Sequence, residues 1–333
     1  MAVNTRVIRR RIKSVTNTKK ITKAMEMVAA SKMRKAVNSV LSTRPYATLA
    51  WEMVGEISRL TDVNTHPLLA TRPPLALASL ARSGSKSRGG DKILLILVTS
   101  DRGLCGGFNA QMLKETFKFF KTLRSLGEEG EVEGGKEIDV ITIGKKGGDA
   151  MRRVKKNVIA SFADLTNNPR AKDVMPVARL AMDEFIAGKY ASVYVAYTDY
   201  ISAIKQIPRV RQLLPIVKDD VENLPLRKGE REGVNNLTIE QLNNSTGFGF
   251  VFEPNPREIL EVMLPRLVET QVFQALLESA ASEHSARMLA MRNASDAAGE
   301  MIDDLTFTFN QARQAAITRE ISEISAGKAV IEG

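Results

Sequence analysis

From Val7 to Val40 the chain reads VIRRRIKSVTNTKKITKAMEMVAASKMRKAVNSV, with apolar residues at mixed three- and four-residue steps: Ile8, Ile12, Val15, then Ile21, Met25, Val28, then Met33, Ala36, Val40. This is helical periodicity with a narrow stripe, the pattern two helices need to bury one shared seam. It continues to about Leu60, and at 1.5 Å per residue a continuous helix over residues 1–58 would be about 87 Å long. No compact core buries such a helix, so a second long helix has to cover it. Pro45 predicts a kink or break near Arg44, because proline lacks the amide donor and clashes one turn back.

The covering helix is legible at the other end of the chain. From Pro256 to about Ile324 a seam runs through Leu260, Leu264, Leu267, Met288, Met291, Ile302, Leu305, Phe309, Ala312, Ala316, Ile321 and Ile324. About 70 residues make about 105 Å of helix, the same scale as the first. Antiparallel pairing follows if whatever lies between them forms a compact connection.

The connection reads as α/β. Ile93 to Thr99 is a continuous apolar strand, Ile138 to Ile143 a second, and Ala191 to Tyr197 a third. Helices are predicted after the glycine-bearing turn to about Leu126, at Asp149 to Lys156, and at Lys172 to Ala187. Strands alternating with helices predict crossovers and a largely parallel sheet. The fold class is therefore α/β plus long α: an antiparallel two-helix coiled coil from the terminal segments, with a small Rossmann-like α/β domain between them. The expected organisation is a helix over 1–60, a Pro/Ser/Gly loop over 61–91, the α/β domain over 92–205, a linker with a polar insertion over 206–254, and the second helix over 255–333.

Composition excludes several chemistries. Cys105 is the single cysteine, so neither an intrachain disulfide nor a multi-cysteine metal site is available. His66 and His284 are far apart, with no His-x-x-x-His pair, so no metal site and no cofactor are predicted. No apolar run approaches the roughly 20 residues that cross a bilayer, and the N-terminus lacks an apolar signal core. A bacterial cytoplasmic product is expected.

The net charge of +10 is concentrated at one end. Residues 1–35 hold eleven lysines and arginines against the single Glu26, so the remainder of the chain is neutral. One basic helix has to meet something acidic: a phosphate backbone, an anionic lipid or an acidic protein surface. Charge does not choose among the three.

The local motifs read as structural. Gly103-Leu104-Cys105-Gly106-Gly107 opens a helix, but it lacks the Gly-x-Gly-x-x-Gly spacing and the Gly-Lys-Ser/Thr ending of nucleotide loops. Gly144-Lys145-Lys146-Gly147-Gly148 matches neither pattern. Cys105 has no histidine near it in sequence and reads as packing, and His284 as a polar position of the coiled coil. Asp219 and Asp220, like Glu128, Glu129 and Glu131, read as solvated loop charges. Ala315 to Val330 is different: a slim helix end of small residues with few charges, an odd tip in water but well suited to a sleeve of other subunits.

Three segments carry a family resemblance. Asn17 to Met33 (NTKKITKAMEMVAASKM), Ser100 to Asn109 (SDRGLCGGFN) and Asn310 to Thr318 (NQARQAAIT) resemble, in order, signature segments of the F-type ATP synthase gamma subunit. The match is co-linear over nearly the whole chain and is similar to the bacterial type, since the regulatory insertion of chloroplast members carries a cysteine pair and this one carries none. The resemblance implies a non-catalytic rotor shaft, with nucleotides bound on the partner alpha and beta subunits. It places the terminal helices inside a ring of three alpha and three beta subunits, and the α/β domain near epsilon and the membrane c-ring. By position it implies that Lys20, Lys23, Met25, Arg287, Arg313, Gln314, Thr318 and Glu323 face the levers and catch loops of beta, and that Tyr197 and Tyr200 lie toward the c-ring. It further implies a peripheral place on the cytoplasmic face of the bacterial membrane, one copy per complex. The loops at 62–91 and 218–248 are longer than in short bacterial members. Two other readings stay open on the residues alone: a coiled-coil nucleic-acid-binding protein using residues 6–35 as a basic arm, and a nucleotide enzyme built on the α/β domain.

Overall fold

The computed structural model describes residues 5–60, 66–69, 92–125, 137–167, 169–216 and 255–332. Among these residues the elements are α1 (Thr5–Leu60), β1 (Ile93–Val98), α2 (Phe108–Ser125), β2 (Ile138–Ile143), α3 (Lys145–Arg153), β3 (Asn157–Phe162), α4 (Ala171–Ile186), β4 (Ser192–Tyr200), β5 (Gln206–Leu214) and α5 (Pro256–Glu332). Contacts divide the chain into two compact units. One comprises Met1–Arg34, Gly103–Gly106 and Glu283–Gly333; the other comprises Lys35–Arg102 and Gly107–Ser282.

In the larger unit a five-stranded sheet has the order β3-β2-β1-β4-β5. The first four strands are parallel and β5 runs antiparallel to β4. β1 is buried along its whole length, which is why it reads as an unbroken apolar run rather than an alternating one. Its two faces feed two cores. Leu94, Ile96 and Val98 pack with Val174, Val177 and Phe185 of α4, while Ile93, Leu95 and Leu97 pack with Met112 and Leu123 of α2 and Met151 of α3.

The sheet is wider than the sequence reading expected. β3 was missed because its side chains alternate between exposed and half-buried at the sheet edge, so NVIASF carries little apolar signal. β5 was missed for a similar reason: Arg209 and Arg211 interrupt it, and it too lies at an edge. The sheet thus continues through Leu214, into residues first assigned to the linker from 206. α3 begins at Lys145, four residues before the expected start.

α5 starts with a reciprocal cap. The Glu258 amide donates to Asn255 Oδ1 at 2.9 Å, Asn255 Nδ2 donates to Glu258 Oε1 at 2.7 Å, and Pro256 occupies the first helical position. Its opening turns do not belong to a two-helix seam alone. Leu260, Leu264, Leu267, Val268, Val272 and Leu276 join the sheet core. Leu260, Leu264 and Leu267, expected in the coiled-coil seam, are therefore part of the sheet core instead. Beyond them Leu277 and Ala281 pack on Ala36 and Val40 of α1, and Thr43 Oγ1 donates to Gln274 Oε1 at 2.7 Å.

α1 continues through Pro45, so of the expected kink or break there is no break. Both Pro45 and Leu41, whose carbonyl loses its donor, are exposed, so water can satisfy the orphan group.

In the smaller unit α1 and α5 also run antiparallel. Lys19 meets Gly299 and, thirteen residues on, Lys32 faces His284. The buried and half-buried positions include Ile8, Ile12, Val15, Thr22, Glu26, Ala29 and Met33 on α1, at steps of three, four and once seven, and His284, Met288, Met291, Ser295, Ala298, Ile302, Leu305, Phe309 and Ala312 on α5, at alternating steps of four and three. Ile21 and Val28, expected in the seam, are 61% and 58% exposed. The register runs through Lys19, Thr22 and Glu26 instead, so apolar character misled the reading by one or two positions.

Candidate functional site

Past Ala312 the helix is uncovered among the described residues. Residues 313–326 are all exposed, including Ile317, Ile321 and Ile324, which at spacings of four and three share one face. In the register of the Lys19–Gly299 pairing, Thr5, the first described residue of α1, falls opposite about residue 313 of α5, so nothing among the described residues covers Arg313 to Ala326. Ala316, Ile321 and Ile324 therefore continue the helix but not the intrachain seam.

On α1 the basic residues face outward. Arg6, Arg9, Arg10, Arg11, Lys13, Lys19, Lys20, Lys23, Arg34 and Lys35 are exposed, and Lys32 is half-buried beside His284. Lys23 pairs with Glu26 at 2.9 Å, but its side chain is 57% exposed, so the pair is worth at most about 1 kcal/mol. Met25 is half-buried. Together with the exposed Ile21, Met27 and Val28 these side chains make a surface that is both cationic and apolar.

Arg287 organises a second group. Its Nη2 reaches Glu283 Oε1 at 2.8 Å and the Gly103 carbonyl at 3.4 Å, and its Nη1 lies 3.3 Å from His284 Nδ1. His284 is buried rather than at a solvent-facing coiled-coil position; burial, then the charges of Arg287 and Lys32, push its imidazole down to about 4. It is neutral at ordinary pH, so Nδ1 accepts from the guanidinium. The Gly103 to Gly106 turn is held close: Gly106 has φ 55, and a Cβ there would lie 3.7 Å from Ala290 Cβ. Cys105 is buried as expected, while Leu104, at φ 62, is 61% exposed. Sequence reading missed Glu283 and Leu104, since neither a helical acid nor a turn leucine advertises its surroundings.

The glycine turns are used internally. Asn109 Oδ1 accepts from the Ser100 amide at 3.1 Å, and Asn109 Nδ2 donates to Ser100 Oγ at 2.7 Å. The Gly147 amide donates to Thr99 Oγ1 at 2.8 Å. In a doubly wound sheet the ligand crevice opens beyond the carboxyl ends of the strands where their order reverses, here between β1 and β4. Next to the end of β4, Ser282 of α5 donates to the Thr198 carbonyl at 3.2 Å, so the chain's own helix occupies that edge.

The remaining expected contacts divide. Arg313, Gln314, Thr318 and Glu323 are exposed on the lone part of α5. Tyr197 is buried at 7% exposure, so it offers a partner almost no surface. Tyr200 is half-buried, and Ile204 in the turn after it is 81% exposed. The loops at 62–91 and 218–248 fall almost entirely outside the described residues, as do Glu128, Glu129, Glu131, Asp219 and Asp220.

The model of the ATP synthase family matches residues 4–331. An ATP synthase gamma chain of Roseiflexus castenholzii is 39% identical over 329 residues, covering 98% of each chain. One from Herpetosiphon aurantiacus is 40% identical with 97% of each covered. The chain belongs to the ATP synthase gamma family. Solved structures agree on the fold: a chain of the Euglena gracilis mitochondrial ATP synthase, from its OSCP/F1/c-ring assembly, aligns over 98% of this chain and 94% of its own with TM-score 0.60 at 20% identity. A second, from the rotor of that enzyme, gives TM-score 0.55 at 17% identity. No helix among the described residues is long and apolar enough to cross a membrane, and no metal-holding cluster occurs among them.

Proposed function

We propose that this chain is the rotating central stalk of a proton-translocating F-type ATP synthase, a non-catalytic subunit that transmits torque between the membrane c-ring and the catalytic head of alpha and beta subunits. The observation that carries the reading is the end of α5. Four unaccompanied turns with Ile317, Ile321 and Ile324 on one face are costly in water and stable inside a bearing of other subunits. Membership of the gamma family supports an acidic protein surface, rather than nucleic acid, as the counterpart of the basic face.

In this reading Lys20, Lys23, Met25, Arg287, Arg313, Gln314, Thr318 and Glu323 meet the beta subunits, and epsilon and the c-ring meet the sheet-bearing unit. Tyr200 and the following turn with Ile204 supply the c-ring contact better than the buried Tyr197. The chain sits peripherally on the cytoplasmic face of the membrane, one copy per complex. Its domains are the two terminal helices and the α/β body between them. The angle of an asymmetric axle determines which beta site is open, so turning the axle releases ATP from the sites in sequence. Exposed ion pairs suit such a surface because they orient without locking.

A disulfide engineered between Ile321→Cys and a facing beta residue tests this. Turnover should stop on oxidation and return on reduction; the native Cys105 is buried and does not compete. Full activity of the cross-linked complex would show that torque does not pass through the tip.

A further inference from the structure

Outside residues 1–35 the chain is neutral as a whole but not locally. In the larger unit α3 ends in Arg152-Arg153-Val154-Lys155-Lys156, five residues with four positive charges, before β3 begins at Asn157. Three backbone hydrogen bonds close the turn: the Val154 amide donates to the Ala150 carbonyl at 3.2 Å, the Lys155 amide to Arg152 at 3.0 Å and the Lys156 amide to Met151 at 3.0 Å. The last two are the pair that ends a helix on a left-handed residue, and Lys155, at φ 56, holds the position that glycine suits best. Lys156 Nζ lies 5.1 Å from the centre of the Phe120 ring on α2, which anchors that side chain. Arg152, Arg153 and Lys155 are exposed, and Val154 between them is 50% exposed. Among the described residues none of the four cations is in a salt bridge.

One or two cations at a helix C-terminus complement its dipole. That does not account for a lysine where glycine fits with less strain, nor for a valine held in water at the apex. A fixed turn with an apolar apex among cations is the pattern that meets a membrane surface: the apex enters between headgroups while the cations attract anionic lipid. An acidic protein surface would use the charges and leave Val154 unexplained. The turn leads into β3, which runs parallel to β2, so it lies at the amino edge of the sheet; α5 meets the opposite, carboxyl edge, where Ser282 donates to the Thr198 carbonyl. We propose that the turn from Arg152 to Lys156 docks on the anionic phospholipid headgroups of the membrane. For its place beside a membrane the contact rests on the stalk function proposed above. Each cation near such a surface is worth roughly fivefold in partition, so the four together give several hundredfold. That is enough to orient a body already held at the membrane and too little to recruit a free chain, and fluid lipid lets a turning body slide.

A fluorophore sensitive to its surroundings, attached to Val154→Cys of the full chain, reads the contact at the turn itself; the native Cys105 is buried and stays unlabelled. Vesicles with about one-third phosphatidylglycerol should shift the emission to the blue, pure phosphatidylcholine should not, and about 0.5 M salt should reverse the shift. Glutamine at Arg152, Arg153, Lys155 and Lys156 leaves the basic face of α1 intact and should raise the lipid concentration at half-shift by more than about tenfold. Lys155→Gly should raise it roughly fivefold while the unfolding temperature holds or rises, so lost contact is told apart from lost fold, and this variant decides if the fourfold one does not fold. No shift on anionic vesicles, or a shift unchanged in both variants, overturns the lipid contact. A probe already shielded without vesicles, and released by glutamine at Glu128, Glu129, Glu131 and Glu133, would assign the patch to the chain's own acids and overturn it too. Failure here leaves the stalk function standing, because the cross-link at Ile321 tests that separately.

Discussion

Lys19 Nζ lies 2.8 Å from the position a Cβ would take on Gly299, so the tip of a flexible lysine fills the space of a missing methyl group across the helix pair. Lys19 is exposed and can swing away. Gly299 is inside α5, where glycine costs about 1 kcal/mol relative to alanine. Gly299→Ala is therefore expected to stabilise the chain by up to about 1 kcal/mol. Thermal unfolding of the two proteins measures it; a destabilised variant would mean Lys19 is held in place.

The seam makes a paired prediction. Leu277 is 1% exposed against Ala36 and Val40, so Leu277→Ala should cost about 2–5 kcal/mol. Ile21 is 61% exposed, and Ile21→Ala should change the stability of the isolated chain by no more than about 0.5 kcal/mol. Denaturant midpoints distinguish them. A large loss at Ile21 would restore the register expected from apolar spacing alone.

Gly144 has φ 95, and a Cβ there would lie 2.1 Å from the Thr99 carbonyl oxygen, with backbone on both sides of the clash. Gly144→Ala combines a disfavoured left-handed conformation with a backbone collision, and a loss of more than about 2 kcal/mol is expected. Soluble yield and unfolding midpoint read the outcome.

His284 gives a pH signature. Its folded value near 4 is below the ordinary 6.5, so the folded state binds the proton less readily than the unfolded chain. Its contribution to stability is present above 6.5 and is lost as pH falls through that window toward 4. Glu278, raised to about 7 from 4.5, runs the other way: its contribution is present below 4.5 and lost as pH rises toward 7. The two overlap in part, so each is isolated only by difference against its own variant. With two histidines in the chain, proton NMR should show one imidazole titrating near 4 and missing in His284→Gln. A resonance near 6.5 for that residue would place it in water.

Arg287→Ala would remove the 2.8 Å ion pair to the buried Glu283, and a loss of more than about 1 kcal/mol is expected. Arg287→Lys should rescue only part of it, since an ammonium does not span Glu283 and the Gly103 carbonyl as the planar fork does. Both are read by thermal unfolding of the full chain, and full rescue by lysine would show that charge alone matters there.

How much was legible depended on how each element is buried. β1, β2 and β4 announce themselves because strands inside a parallel sheet are apolar on both faces, whereas β3 and β5 at the edges mix polar and apolar residues and passed unread. The two long helices were legible from periodicity, and their family segments from residue identity. The partner-facing residues were legible only through that resemblance: nothing in the spacing of Arg287 says that it grips a turn 184 residues away.

The amino-acid order alone determined two long helices, an α/β body between them and a charge concentrated at one end, because these depend on periodicity, composition and local geometry. Tertiary structure decided the seam's true register, the burial of Tyr197 and His284, and the entry of α5 into the sheet core. Each of those depends on which distant side chains share a volume closed to water, and single-chain periodicity does not encode that.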